Sequence, residues 1–283
     1  MQWFALDILA NVVGDIVSAL LFALVGLVVA AAVLLSPRQK LFAFFGIRRE
    51  KPLLRVYVST LKIVPGADEK TKRYICGAAD FRGIVRSYDG LAIAEYEFLA
   101  IEPLNQVFYS QLIANLPKAF REWLEARFWA FHDVEPIMEL SPMEEEGLQF
   151  DNLILLGSAG YNLATQWYQD KYEPKIAFGR PMRINYGVDK GREISCRGSD
   201  MAVLEKIIDQ EHETVVFISQ GGNINGTRGA LLFLVQYWGK LHDVYGEDEF
   251  ALCIQFPHHR IDPEGYRKPR VVASVPQKPF ISL

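Results

Sequence analysis

Cysteine and histidine are scarce in this chain of 283 residues, which holds three of the first and five of the second. Cys76, Cys196 and Cys253 are odd in number and far apart, with no CxxC or Cys/His ligand spacing. That argues against a disulfide framework and against structural zinc, and the three read as reduced thiols of a cytosolic domain. His258 and His259 are adjacent. In a strand or loop they point to different sides and chelate one metal poorly. HExxH and GxSxG are both missing, so no metal site and no nucleophile elbow is expected. Arginine-rich helices and internal repeats are absent too. The formal net charge is −4, which speaks against a nucleic-acid binder.

Charge is also missing from one long stretch. Ile16–Leu35 reads IVSALLFALVGLVVAAAVLL, with Ser18 its one polar residue. Twenty residues of helix span about 30 Å, the hydrocarbon thickness of a bilayer, and Pro37 is expected to end the helix. No lysine or arginine precedes the run, unlike a signal peptide. Arg38, Lys40, Arg48, Arg49 and Lys51 follow it. The positive-inside rule therefore predicts a single-pass protein with its N-terminus out and its C-terminal domain in the cytoplasm. Of 30 basic and 34 acidic side chains, five and three fall within residues 1–51, which leaves 25 and 31 for the remainder. A basic segment beside an apolar run, followed by an acidic domain, is the layout of an anchor with a soluble cargo.

The pairs Ala19/Ala23 and Gly26/Ala30 allow close helix contact in lipid, and Asp7, Asn11 and Asp15 share one helix face. Membrane lipid and further copies of the chain are the partners this implies. Leu41–Ile47 (LFAFFGI), aromatic and set among basic groups, reads as a stretch lying on the cytosolic leaflet. The organisation expected is an anchor over 1–36, a basic and aromatic linker over 37–52 and a cytosolic α/β domain over 53–283. The acidic segment near 141–150 is either a loop or the boundary of a second lobe.

Half of the residues are hydrophobic and 23% are charged, enough for a packed core. Leu53–Leu61 is β-branched and apolar and reads as a strand. Leu91–Leu116 looks largely helical with a break at Pro103, and Lys118–Phe131 is a helix with Phe120, Leu124, Phe128 and Phe131 on one face. Val134–Leu140, Asn152–Leu156, Thr214–Ser219, Phe250–Phe256 and Arg270–Val275 read as strands, and Ile176–Tyr186 with Arg192–Cys196 as a strand pair. Ala202–Asp209 reads as a short helix. Helices are expected after Gly160, through Tyr172, and over Thr227–Tyr245. Short apolar strands entering helices through glycine-rich turns predict an α/β fold with a mainly parallel, Rossmann-like sheet covered on both faces.

In such sheets ligands bind beyond the carboxyl ends of the strands. Two strand–turn–helix junctions stand out. Turn one is Gly157-Ser158-Ala159-Gly160-Tyr161-Asn162, and turn two is Gly221-Gly222-Asn223-Ile224-Asn225-Gly226-Thr227-Arg228-Gly229. Hydroxyls, amides and glycines before a helix suit ribose or phosphate. Turn two spaces Gly221 and Gly226 as a P-loop does, but Thr227-Arg228 replaces the lysine that reaches the phosphates, which excludes that motif. The ligand-binding candidates are Gly157, Ser158 and Asn162 from turn one, and Gly222, Asn223, Asn225, Gly226, Thr227 and Arg228 from turn two. The competing reading makes both turns plain connections, with Thr227 a helix cap. Glu95, Glu97 and Asp189 are the candidate catalytic carboxylates.

VYVST, LILLGSAGYN and VVFISQGGNINGTRGA, spread over residues 53–275, resemble in pattern the Rossmann-like nucleotide-handling domains of prokaryotic signalling and defence systems, a group holding TIR-like, nucleoside-deoxyribosyltransferase-like and CARF-like domains. The resemblance implies a nucleotide or NAD-like ligand. Three functions compete: a membrane-anchored sensor or effector of such a ligand, an enzyme cleaving the N-glycosidic bond of NAD or a nucleotide, and a membrane scaffold without catalysis.

Overall fold

The computed structural model of the protein describes residues 16–19, 21, 22, 26, 35–62, 84–88, 91–94, 101–108, 117–127, 129, 134, 136–142, 144–179, 181–195, 200–222, 224–256 and 269–278. Thirteen strands occur among them. They are β1 (Leu54–Val58), β2 (Thr60–Lys62), β3 (Ile84–Tyr88), β4 (Leu91–Ala94), β5 (Ile137–Leu140), β6 (Asn152–Leu156), β7 (Ile176–Ala177), β8 (Met182–Ile184), β9 (Glu193–Ile194), β10 (Asp200–Asp209), β11 (Thr214–Gly221), β12 (Phe250–Phe256) and β13 (Arg270–Val275). Seven build one sheet in the order β13-β12-β10-β11-β6-β1-β5, and two three-stranded sheets, β2-β4-β3 and β7-β8-β9, stand beside it.

The fold is mixed α/β. Strands β5, β1, β6 and β11 run parallel. β10, β12 and β13 extend them as an antiparallel wing that the sequence pattern did not announce. Two layers cover the sheet. On one face Phe217, Leu204, Phe250 and Ile154 pack under the helix Ile224–Tyr245, the longest among the described residues, through Leu231, Leu234 and Leu241. On the other, Leu153, Leu155, Val216 and Ile218 pack under the helix Leu163–Lys171 through Ala164 and Tyr168.

Five readings of the sequence are corrected. Residues 202–209 are strand β10, not a helix. Glu205 and Lys206 imitate a polar helix face, yet both are buried between two partner strands, one on each side of the sheet. Residues 91–94 are strand β4, and the helix Ile101–Phe108 holds Pro103 in its first turn, where a missing N–H costs nothing. The long helix begins at Ile224 rather than Thr227. The stretch Leu41–Ile47 does not lie on a leaflet surface. Residues 35–45 are helical, so the helix runs through Pro37 rather than ending there, and Leu41, Phe42, Phe44, Phe45 and Ile47 are each at most 4% exposed within the main core. Phe44 and Phe45 stand 5.2 and 5.1 Å from the Phe217 ring. An aromatic run between charges satisfies the burial rule as well as the interfacial one, and only packing distinguishes them.

Among the described residues no helix is long and apolar enough to cross a membrane. The run Ile16–Leu35 falls mostly outside them, and so do Cys76, Cys196 and the histidine pair. Within the run, Ile16, Val17, Leu21 and Phe22 are helical and 49–78% exposed.

Candidate functional site

β1 and β6 are neighbours whose chains depart in opposite directions. From β1 the chain reaches β5 by way of the helix Ile101–Phe108, which packs on the long-helix face through Leu104 and Phe108. From β6 it passes to the other face and the other side of the sheet. The carboxyl ends of these two strands therefore form a topological switch point, and turn one lies on it.

Turn one is held by its own polar groups. Gly157 has φ of +99°, a value that an L side chain avoids, and its N–H donates to Ser219 O at 2.9 Å, tying β6 to β11. Asn162 is buried. Its Oδ1 accepts from Thr165 N at 3.1 Å and caps the helix, while Nδ2 donates to Leu156 O at 2.8 Å and Tyr57 O at 3.1 Å. Ser59 Oγ donates to Leu156 O, Thr165 Oγ1 donates to Gly157 O, and Ser141 Oγ accepts from Ala164 N. The carbonyls at the ends of β1 and β6 thus find partners without a regular ladder. Ser158 is half-buried at the rim, and its carbonyl accepts from the N–H groups of Tyr161 and Asn162.

Turn two closes beside it. Gly222 N donates to Met201 O at 2.9 Å, Gly221 N to Thr227 Oγ1 at 3.1 Å, and Ser219 Oγ to Thr227 O at 3.2 Å. Thr227 is buried inside the first turn of the long helix and ties that helix back to its strand. A β-carbon on Gly226 would sit 2.6 Å from Met201 O, and one on Gly221 would sit 2.2 Å from Thr227 N. Both glycines are required by the approach of the helix start to the backbone of the protein itself. Arg228 is half-buried. Asn223 lies outside the described residues, and Asn225 is described by its helical backbone alone.

Sequence reasoning missed the residue between the turns. Gln220 is the penultimate residue of β11 and is fully buried. Neither Oε1 nor Nε2 has a hydrogen-bond partner among the described residues. Ser219 faces the long helix and Ile218 faces the opposite layer, so alternation turns Gln220 toward the layer of turn one. An unpaired buried amide costs about 1–3 kcal/mol, so its retention needs a reason. The available signal was a glutamine closing a run of strand-forming apolar residues.

Of the three candidate carboxylates only Asp189 is among the described residues, and it is not brought to this place. Glu95 and Glu97 lie outside the described residues. Asp189 belongs to the turn between β8 and β9 and pairs with Arg192 at 3.0 Å. Two other acids are buried. Glu205, opposite Ile218 in the ladder, shares the sheet face of Gln220. Its Oε1 accepts from Lys175 N at 2.9 Å, and burial pushes its carboxyl up to about 7 despite Lys175. Asp209 closes the β10–β11 hairpin at the other end of β11. Burial alone would raise it, but hydrogen bonds from Tyr172 at 2.6 Å and from His212 hold it down at about 2. Asp209, Glu211 and His212 offer ligand atoms within 4.8 Å of one another. The N–H groups of Glu211 and His212 and the Lys171 ammonium already bond Asp209, so the group builds the turn.

The chain matches no family model, no curated protein and no solved structure.

Proposed function

We propose that the protein is a membrane-tethered sensor whose α/β domain binds a nucleotide-like anion between turns one and two and relays binding to the membrane segment. The observation that carries this reading is the span of the long helix. Its 22 residues start at turn two and cover about 33 Å. Its far end packs on the 35–45 helix that directly follows the apolar run, with the Phe44 and His242 rings 6.3 Å apart and Lys40 Nζ 3.6 Å from Asp243 Oδ1. A shift of the helix start on ligand binding is thereby carried to the foot of the run, because packed helices move as rigid elements.

The parallel block β5-β1-β6-β11 is in keeping with a Rossmann-like domain. The positive dipole end of the long helix favours an anion, and the Gln220 amide offers one donor and one acceptor edge to a base or carboxamide. The exposed apolar side chains Ile16, Val17, Leu21 and Phe22 support the tether. Cleavage of an N-glycosidic bond is the second reading. It draws on Glu205, a buried carboxyl pushed up to about 7 on the face of Gln220.

The test is a thermal-shift screen of the full chain in detergent against nucleotides and NAD, with product analysis alongside. Sensing requires a rise in melting temperature without turnover, lost in Gln220→Leu. A ligand that stabilises wild type and Gln220→Leu alike refutes this site. Turnover abolished by Glu205→Gln establishes the enzyme instead.

A further inference from the structure

The 35–45 helix forms one wall of a cleft of about 420 Å³. Leu35, the last residue of the apolar run, stands at it, and Phe42 and Trp129 supply an apolar wall. Three charged side chains complete it: Arg48, Arg127 and Glu247, all exposed. Arg48 and Arg127 form no ion pair with a carboxylate among the described residues. Arg127 lies over the Trp123 ring at 5.7 Å, and neither Arg48 nor Glu247 has an ion-pair partner among them.

The geometry points to a binding site for a phosphatidylethanolamine headgroup in this cleft. Two guanidinium groups present the forked donors that a phosphate diester accepts. Glu247 accepts from a primary ammonium, which completes the charge pattern of a zwitterion with two cations and one anion. The apolar wall runs on to Leu35 and so to the acyl region. A free anion would leave both Glu247 and this wall unused. Trp and Arg at the mouth of a span are the residue types that settle at headgroup depth. The site would seat the soluble domain against the inner leaflet at a fixed height, with the 35–45 helix between the lipid and the long helix. This inference rests on the membrane-tether reading.

The experiment uses the full chain. Carbonate extraction of membranes comes first, and release into the soluble fraction refutes the tether and this inference with it. With the chain retained, purified protein is titrated with short-chain phosphatidylethanolamine, phosphatidylcholine and phosphatidylglycerol, and with phosphoethanolamine and inorganic phosphate, reading the melting temperature. The expected result is selective stabilisation by phosphatidylethanolamine. Arg127→Gln and Arg48→Gln, both at exposed positions, should weaken every phospholipid about tenfold. Glu247→Gln should erase the preference over phosphatidylglycerol while leaving phosphate recognition intact. Equal response to all phospholipids, an unchanged preference in Glu247→Gln, or the same shift with phosphoethanolamine or phosphate alone overturns the headgroup assignment and leaves the tether standing.

Discussion

The ammonium of Lys206 lies 4.8 Å from the centre of the Phe44 ring. One residue comes from the middle of the sheet and the other from the segment next to the apolar run. Lys206 is fully buried and also donates to Glu247 O at 2.9 Å. Through Phe44 the 35–45 helix belongs to the core of the α/β domain.

Truncation should therefore show a sharp boundary. A chain beginning at residue 35 is expected to fold, and one beginning at residue 53 to fail. The second loses Leu41, Phe42, Phe44, Phe45 and Ile47, all buried. At roughly 1.5–3 kcal/mol each, their loss equals the whole stability of an ordinary domain. Circular dichroism and denaturant unfolding of the two chains check this. Equal stability would show that the aromatic segment is dispensable.

Two of the buried titratable groups of β10, Glu205 and Lys206, predict opposite pH slopes. Burial raises Glu205 to about 7, above its ordinary value of 4.5, so the folded state holds a proton that the unfolded state has released. Its contribution to stability falls as pH rises from 4.5 to 7. Glu205→Gln should match wild type at low pH and exceed it by about 3 kcal/mol above pH 7. Burial lowers Lys206 from 10.5 to about 8. The unfolded state then binds more protons between pH 8 and 10.5, and stability rises with pH across that window. Lys206→Met should abolish the rise. Denaturant midpoints measured from pH 4 to 11 test both.

Gln220→Leu should stabilise the unliganded protein, by about 1–3 kcal/mol, since it removes two buried polar atoms without partners. The same substitution should abolish ligand-induced stabilisation. A gain in stability with a loss of function is the trade-off expected of a binding residue. A destabilised Gln220→Leu would show that the amide is paired within the fold.

Asn162→Ala and Gly226→Ala should both damage the fold before any question of ligand arises. Asn162 supplies a helix cap and two bonds to strand carbonyls, and its loss should cost on the order of 2–4 kcal/mol. At Gly226 the new β-carbon meets Met201 O, costing about 1–3 kcal/mol. Ser158→Ala, at the rim, should stay within about 0.5 kcal/mol of wild type. Unfolding midpoints of the three variants rank these effects.

Local pattern determined much of this protein. Asn152–Leu156, Phe250–Phe256 and Arg270–Val275 were legible to the residue because apolar runs between turn residues have few other uses. Gly157 and Asn162 marked a strand-to-helix turn because a positive φ and a helix cap each demand particular residue types. Tertiary structure decided the rest. Residues 202–209 hold four helix formers, Ala202, Leu204, Glu205 and Lys206, against three strand formers, Val203, Ile207 and Ile208, and pairing on both sides made them β10. Leu41–Ile47 suited a membrane surface and a protein core equally, and Phe217 and Lys206 claimed it for the core. Gln220 is an ordinary polar residue in the sequence. Only burial without a partner sets it apart, and burial arises from contacts between residues far apart in the chain.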